Sequence, residues 1–528
     1  MSYRRSVYII FLLLLSLTAQ ARTIRLRSYT SGTVLTQEMF SGEGFSYKII
    51  GDFELDGQAL TIPRNSTLTF KKGSVNHGEL HLSDGVTIKA NGSEWKQVRL
   101  IAEHAANISV SNLLINGEGT STMHNIFRFM YCENIDLKNI HTFEYYRKYR
   151  GADIEVEDDS GFLWYPFLCK DCENISIDGY LSERTYPEGP FFINCTGLDI
   201  RDMEVTDNDN QKGRDIWTPI NAFYCRDVKI SNSKFVRRQA ATKSGSTANL
   251  CCANMTLTDC WFEGGAGVDF SNEWFNQEFS SRDIVMDRCT IVKATHGIYT
   301  QPTPGLVENV TIKNSRLQSS ATDDVYGFNF ATGNIRNLNC SNCHFSGLIF
   351  LQFNADTRFS GEIGPCEFNE CTFDDDFYGG YTGRQGPILA RNSSAGVDVG
   401  QITFNDCTFN HKKYATHLAA NAGEALKLTV ENSTFDIKSL DIAGGYNTYT
   451  LNFTGNKVKS EAYSLNWVQT KLGDALIENN EFENQAFKMH YTESHAVFRN
   501  NTFKNDEGES PIIITGSRNV QLIDNKSL

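Results

Sequence analysis

What most constrains this chain is a nine-residue pattern that recurs along nearly all of it. It runs polar, apolar, polar, apolar, two mostly polar residues, a small one, a polar one, then Phe, Leu or Ile. Clear copies are NVTIKNSRL from Asn309, DVKISNSKF from Asp227, NMTLTDCWF from Asn254, QITFNDCTF from Gln401 and KLTVENSTF from Lys427. Sixteen copies can be placed, starting at Asn107, Asn134, Asn174, Gly197, Asp227, Asn254, Asp283, Asn309, Asn337, Pro365, Gln401, Lys427, Thr450, Asp474, His495 and Asn519, with spacings of 21 to 40 residues. Apolar second and fourth positions among polar neighbours are the signature of a strand with one buried face. No 3.6-residue period appears, and neither does the Leu and Asn signature of a leucine-rich horseshoe. A unit this short cannot bury its own apolar face, so it must stack on its neighbours, each coil about 4.8 Å above the last. The pattern therefore predicts an all-β, single-stranded right-handed parallel β-helix of about sixteen or more coils.

Two positions test that reading. The seventh is Ser233, Cys260, Cys289, Ser315, Cys343, Cys371, Cys407 and Ser433, followed by Asn456, Asn480, Asn501 and Asn525. Small residues at equivalent bends predict internal ladders, with the amides hydrogen-bonding along the stack. The ninth position repeats Phe235, Phe262, Phe345, Phe373, Phe409, Phe435, Phe482 and Phe503, a stacked core rather than a ligand box. The same bookkeeping absorbs the cysteines. Of fourteen, five take the seventh position, and Cys132, Cys172, Cys195, Cys225 and Cys252 lie two residues before a copy begins. They read as buried thiols acting as small hydrophobes, not as a disulfide framework. Cys169 and Cys172 have C-x-x-C spacing, but no second pair or His cluster completes a metal site. The N-x-[ST] triplets at Asn107, Asn174, Asn254 and Asn309 arise from the strand pattern itself and say nothing of glycosylation.

The start of the chain has Arg4 and Arg5, an apolar run from Val7 to Leu17, and Ala19 and Ala21 flanking Gln20. This predicts a signal peptide over 1–21, and an exported protein that is periplasmic, cell-surface or extracellular, with no membrane span. The remaining boundaries are expected at 22–106, an N-terminal cap and entry coils, and 107–528, the β-helix, with no linker breaking the chain. A net charge of −14 repels polyanions at long range. Basic residues form only short clusters such as Arg237, Arg238 and Lys243, so no nucleic-acid partner is expected.

With this architecture, the chain resembles the pectate-lyase-like superfamily of β-helices, which includes pectate lyases, polygalacturonases, several glycoside hydrolase families and phage tailspikes. The stretch LTIPRNSTLTFKKGSVNHGEL from Leu60 is similar to the entry coils of exported β-helix proteins common in gut Bacteroidetes. The resemblance implies cleavage or binding of glycans. Family motifs are missing, however. Polygalacturonases carry N-T-D, D-D, G-H-G and R-I-K in that order, whereas here Asp323 and Asp324 follow His296 and Gly297. The R-x-P-x-x-R of pectate lyases and an Asp cluster suited to calcium are also absent.

In such helices the groove follows one sheet, where outward side chains meet loops. Aligning GVDFSN from Gly267, HGIYTQ from His296 and YGFNFA from Tyr326 points Val268, Ile298 and Phe328 inward and Asp269, Tyr299 and Asn329 outward, followed by Ser271, Gln301 and Ala331. Three long connections surround the row: Glu144 to Gly161 with Tyr146 and Arg147, Asp207 to Trp217 with Arg214 and Asp215, and NEWFNQEF with Glu273 and Trp274. Aromatic faces suit sugar rings. Hydrolysis of a glycosidic bond needs two carboxyl groups about 5 to 9.5 Å apart. Asp269 is the first candidate, with Glu273, Asp215 or Asp324 as its partner and His296 as a proton relay. Tyr299, Gln301, Asn329, Trp274, Trp217, Tyr146, Arg147 and Arg214 are the candidate substrate contacts. An outward Asp on a β-helix is more often solvated than catalytic, and His296 before a Gly can simply cap a turn. For β-elimination the base would be Tyr299, His296, Arg214 or Arg282; the acidic net charge places hydrolysis ahead of it. The expected function is a secreted glycan-cleaving enzyme without a cofactor, and the alternative is a non-catalytic glycan-binding or adhesive β-helix. The oligomeric state stays open.

Overall fold

The computed structural model describes residues 22–40, 42–119, 125–146, 165–186, 188–206, 218–237, 245–271, 279–300, 306–322, 326–332, 335–353, 363–383, 386–392, 399–420, 426–442, 449–468, 474–490, 495–505, 511–516 and 519–528. The leader expected over 1–21 lies outside them. Two compact units divide the chain, Met1–Tyr186 and Pro187–Leu528. The expected boundary at 106/107 falls inside the first unit, where strand Thr87–Glu103 is followed directly by Ala106–Asn116. Among the described residues the only helical piece is a short 3-10 turn, Gln37–Met39, and no helix is long and apolar enough to cross a membrane.

Both units are parallel β-helices. In the first, stacked strands bring Tyr47, Leu68, Ile88, Val110, Leu137 and Ile177 into one register, each buried. In the second, one ladder runs through thirteen coils, from Leu198 through Val228, Met255 and Ile284 to Ala475, Ala496 and Val520. Every rung is the second position of a repeat copy, so the alternation read from the sequence is the physical register. Short parallel strands joined by tight turns cannot saturate their hydrogen bonds alone, so each coil donates to the next.

The corners explain the polar residues of the repeat. The sixth position sits in the left-handed backbone region at Asn232, Asp259, Asn314, Asn342, Asp406, Asn432 and Asn479, with φ of 47 to 57°. Asn, Asp and Gly tolerate that region best, which is why they recur there. Many first positions are also left-handed, and their side chains form an outer ladder: Asn174 donates to Asn134 and Asn134 to Asn107, both at 3.1 Å, and Asn337 donates to Asn309 at 3.0 Å. The N-x-[ST] triplets discounted above are these rungs.

Inside the bend, the seventh position behaves as expected. The Asn456 amide N–H donates to Asn480 Oδ1 at 2.8 Å, Asn480 N–H to Asn501 Oδ1 at 3.0 Å, and Asn501 N–H to Asn525 Oδ1 at 3.0 Å. Each side-chain NH2 then donates to a carbonyl of an earlier coil, as Asn480 does to Phe453 at 2.9 Å. The ninth-position rings stack: Phe345 on Phe373 at 5.0 Å, Phe373 on Phe409 at 4.9 Å, and Phe409 on Phe435 at 4.3 Å. Burying each contributes roughly 1.5–3 kcal/mol. All fourteen cysteines are buried and free, and burial pushes the Cys366 thiol up to about 12.

Candidate functional site

The sheet preceding the repeat copies in the second unit breaks strict alternation. Along His296–Thr300 the sequence runs out, in, in, out, in: His296 and Tyr299 are part-buried, while Gly297, Ile298 and Thr300 are buried. Strands Phe328–Thr332 and Ile349–Phe353 stack on it in register, with Asn329 and Phe330, then Phe350 and Leu351, as the paired inward residues, while Ala331 and Ile349 hold outward places but are buried. Two outward rows three residues apart result. One reads Asn221, Asn249, Asp269, Tyr299, Ala331, Gln352, Arg391 and Ala420. The other reads His296, Phe328, Ile349, Ile388, His417 and Asp441.

This corrects part of the alignment. Val268 and Ile298 do pair inward, and Asp269 is beside Tyr299, but the third member of the inward set is Phe330, not Phe328. Asn329 is fully buried instead of facing outward; its Oδ1 accepts from Ser319 Oγ at 3.2 Å. Ala331 takes the place beside Tyr299, not beside Gln301. The cause is the pair of consecutive inward residues at the bend, which a period-2 reading shifts by two.

Asp269 is only 6% exposed. Its Oδ1 accepts both the backbone N–H of Ser271, at 2.7 Å, and the Ser271 hydroxyl. This fixes the carboxyl's orientation between Asn249 on one adjacent coil and Tyr299 on the other. His296 stacks on the Tyr299 ring at 4.8 Å and 12°, and packs against Phe328 at 5.3 Å. Burial drives its pKa down to about 4, and its Nδ1 has no hydrogen-bond partner, so at neutral pH the imidazole is uncharged.

Of the other predicted residues, Glu273, Asp215, Asp324, Gln301, Trp274, Trp217, Arg147 and Arg214 lie outside the described residues, as does the side chain of Tyr146. Arg282 pairs between Ala253 and Glu308, at the start of the repeat strand and away from the Asp269 row.

Three features went unread in the sequence. The first is Glu188, in the turn before strand Phe191–Ile193. It accepts from Asn221 Nδ2 at 3.3 Å, and Asn221 Oδ1 accepts from Asn249 Nδ2 at 2.9 Å, so a chain of polar groups leads up the row toward Asp269. Burial pushes the Glu188 carboxyl up to about 8, against the lowering pull of the Asn221 amide, the Thr218 backbone and the Arg237 charge. Its coil lies three below that of Asp269, roughly 14 Å by coil rise. That exceeds the spacing of a glycosidase pair. Asn221 was findable, because it stands four residues before Cys225, one of the cysteines that mark the register.

The second is Arg391, four coils beyond Asp269 in the same row. The third is an aromatic shelf: Tyr381 lies 6.2 Å from Tyr326, 6.1 Å from Phe377 and 6.1 Å from Tyr414. Its members are scattered from 326 to 414, so no local motif announces it.

Among the described residues no group of three His, Cys, Asp or Glu is arranged to hold a metal ion. No family model matches the chain, and no curated protein matches it. Solved structures similar to it include tailspike proteins of the E. coli bacteriophage HK620. One, a mutant in complex with a hexasaccharide, is 10% identical with a TM-score of 0.36, over 90% of this chain and 73% of its own. Another, a double mutant, is 11% identical with a TM-score of 0.36, over 91% and 74%. A third, a double mutant in complex with a pentasaccharide, is 11% identical with a TM-score of 0.28, over 91% and 74%.

Proposed function

We propose that this chain is an exported glycan-acting β-helix that hydrolyses a glycosidic bond at the Asp269 face of its second unit. The observation that carries the reading is the Asp269 carboxyl itself. It is shielded from water, aimed by two donors of Ser271, and flanked by an amide and a phenol, the phenol's ring stacked on a neutral imidazole. A fixed carboxyl between polar neighbours suits general acid–base or nucleophilic work on an acetal. Asn249 can hydrogen-bond sugar hydroxyls, and the His296–Tyr299 stack offers a flat face for a ring. The second carboxyl is sought among Glu273, Asp215 and Asp324. A uniform imidazole charge is not available for steering an anionic leaving group, so His296 serves as a neutral donor or acceptor.

A second reading has its own support. Asn221, Asn249 and Gln352 supply amides along the row, where Asp269 is the carboxyl among the described members, a composition that suits binding without cleavage.

The test is a screen of the chain from Arg22 on neutral and acidic polysaccharides, following reducing ends and ultraviolet-absorbing unsaturated products together. Reducing ends alone, lost in Asp269→Asn, support hydrolysis. Both signals together mean elimination and move the chemistry to Tyr299 and His296. Retention on a glycan with no product makes the binding reading the correct one.

A further inference from the structure

The outward row that carries Asp269 continues through Tyr299, Ala331 and Gln352 to Arg391. Arg391 differs from the ion-paired arginines of the second unit. Arg288 pairs with Asp259 and Asp287, Arg201 with Asp199, and Arg499 with Glu478. Among the described residues Arg391 has no carboxylate partner, and its Nε is buried without a hydrogen-bond acceptor. Its guanidinium instead reaches back along the face to lie 6.0 Å from the centre of the Tyr326 ring, which packs on Tyr381.

Tyr326 belongs to the coil of strand Phe328–Thr332, two below the coil of Arg391, so the cation lies on the side of its coil that leads back to the coil of Asp269. The distance from the Asp269 coil to this charge is two to four coil rises, roughly 10–19 Å, a span that a short oligosaccharide lying along the row covers. A guanidinium seated against an aromatic ring, with no carboxylate beside it, leaves outer N–H groups for a planar anion. The whole chain carries −14, which opposes a polymer charged at every unit.

We infer that Arg391, backed by Tyr326, is a subsite for one carboxylate of a sparsely acidic glycan, a few sugar units from the position held at Asp269. This rests on the glycan-acting reading above and names its substrate class: a largely neutral heteropolysaccharide with an occasional uronic acid. Arg391 binds the acid sugar and sets the register of the chain on the row, while Gln352 lies between to meet neutral hydroxyls.

The experiment is affinity electrophoresis through a panel of heteropolysaccharides with one uronic acid per repeating unit, alongside the same polymers after reduction of their carboxyls to alcohols. Asp269→Asn is the background, to prevent cleavage. The expected result is stronger retardation by one native polymer than by its reduced form, with Arg391→Gln erasing that preference, roughly a tenfold loss, while still binding the reduced polymer. Arg391→Lys, which keeps the charge but not the fork, recovers part of it. Thermal unfolding of each variant shows that the fold is intact. Equal retardation by native and reduced polymers, or a preference that survives Arg391→Gln, overturns the subsite and leaves the glycan-acting reading standing. Retardation by no polymer, acidic, reduced or neutral, removes both.

Discussion

Two polar ladders run along the second unit, and they are built on opposite rules. Inside the bend, Asn456, Asn480, Asn501 and Asn525 repeat one side chain coil after coil, and each amide is satisfied by the next. On the outer face, the row from Asn221 to Arg391 changes chemistry at nearly every step: amide, amide, carboxyl, phenol, methyl, amide, guanidinium. A stack gains stability when every rung makes the same good contact, because the coil spacing is constant. It gains recognition only where the rungs differ. The departures from the repeat, not the repeat, are where function belongs.

The comparison breaks most sharply at Asp269. Asp269→Asn keeps the shape and is expected to lower glycan cleavage about a thousandfold while leaving thermal unfolding nearly unchanged. A variant that unfolds early instead would make Asp269 a rung of the structure. Asn480→Ala is the converse case. It strands the Asn456 N–H and the Phe453 carbonyl inside the core and removes the bond to Asn501, so a loss of about 3 kcal/mol in urea unfolding is expected, with glycan binding unaffected in the protein that remains folded.

Glu188 lies between the two regimes, because it is buried like the inner ladder but joined to the outer row. A carboxyl whose folded-state pKa is raised holds its proton more tightly folded than unfolded. Its contribution is therefore fully present below the ordinary value of 4.5 and is lost as pH rises toward about 8. Glu188→Gln removes that slope. Relative to wild type it should gain on the order of 4 kcal/mol at pH 8 compared with pH 4. Parallel pH dependences for the two proteins would show that the carboxyl does not titrate in this window. The smallest effect on stability is expected at Asn249→Ala. It removes a bond of 2.9 Å to Asn221 from a half-buried amide, under about 1 kcal/mol, yet should weaken glycan retention about fivefold. Equal losses in stability and binding would erase the distinction between the ladders.

How much of this was legible beforehand follows the same division. The thirteen-coil register, the Asn and Phe ladders and the fate of the cysteines were readable because each is set by residues two to nine apart and then copied. The pairing of Asp269 with Tyr299 was readable for the same reason. Asn329 was misplaced because the bend takes two consecutive inward residues, so alternation fails there by geometry rather than by composition. Glu188 gave no signal at all: a lone acid before Gly189 and Pro190 looks like an exposed turn, and only the packing of later coils buries it.

The amino-acid sequence by itself determined that this chain stacks, because period-2 strands with left-handed Asn and Asp corners have no other way to bury their apolar face. Which outward side chains share a row, which acid loses its water, and which cation falls in the same row as Asp269 were decided only by tertiary structure. Those relations join residues 20 to 40 positions apart through coils of unequal length, and no local pattern fixes that distance.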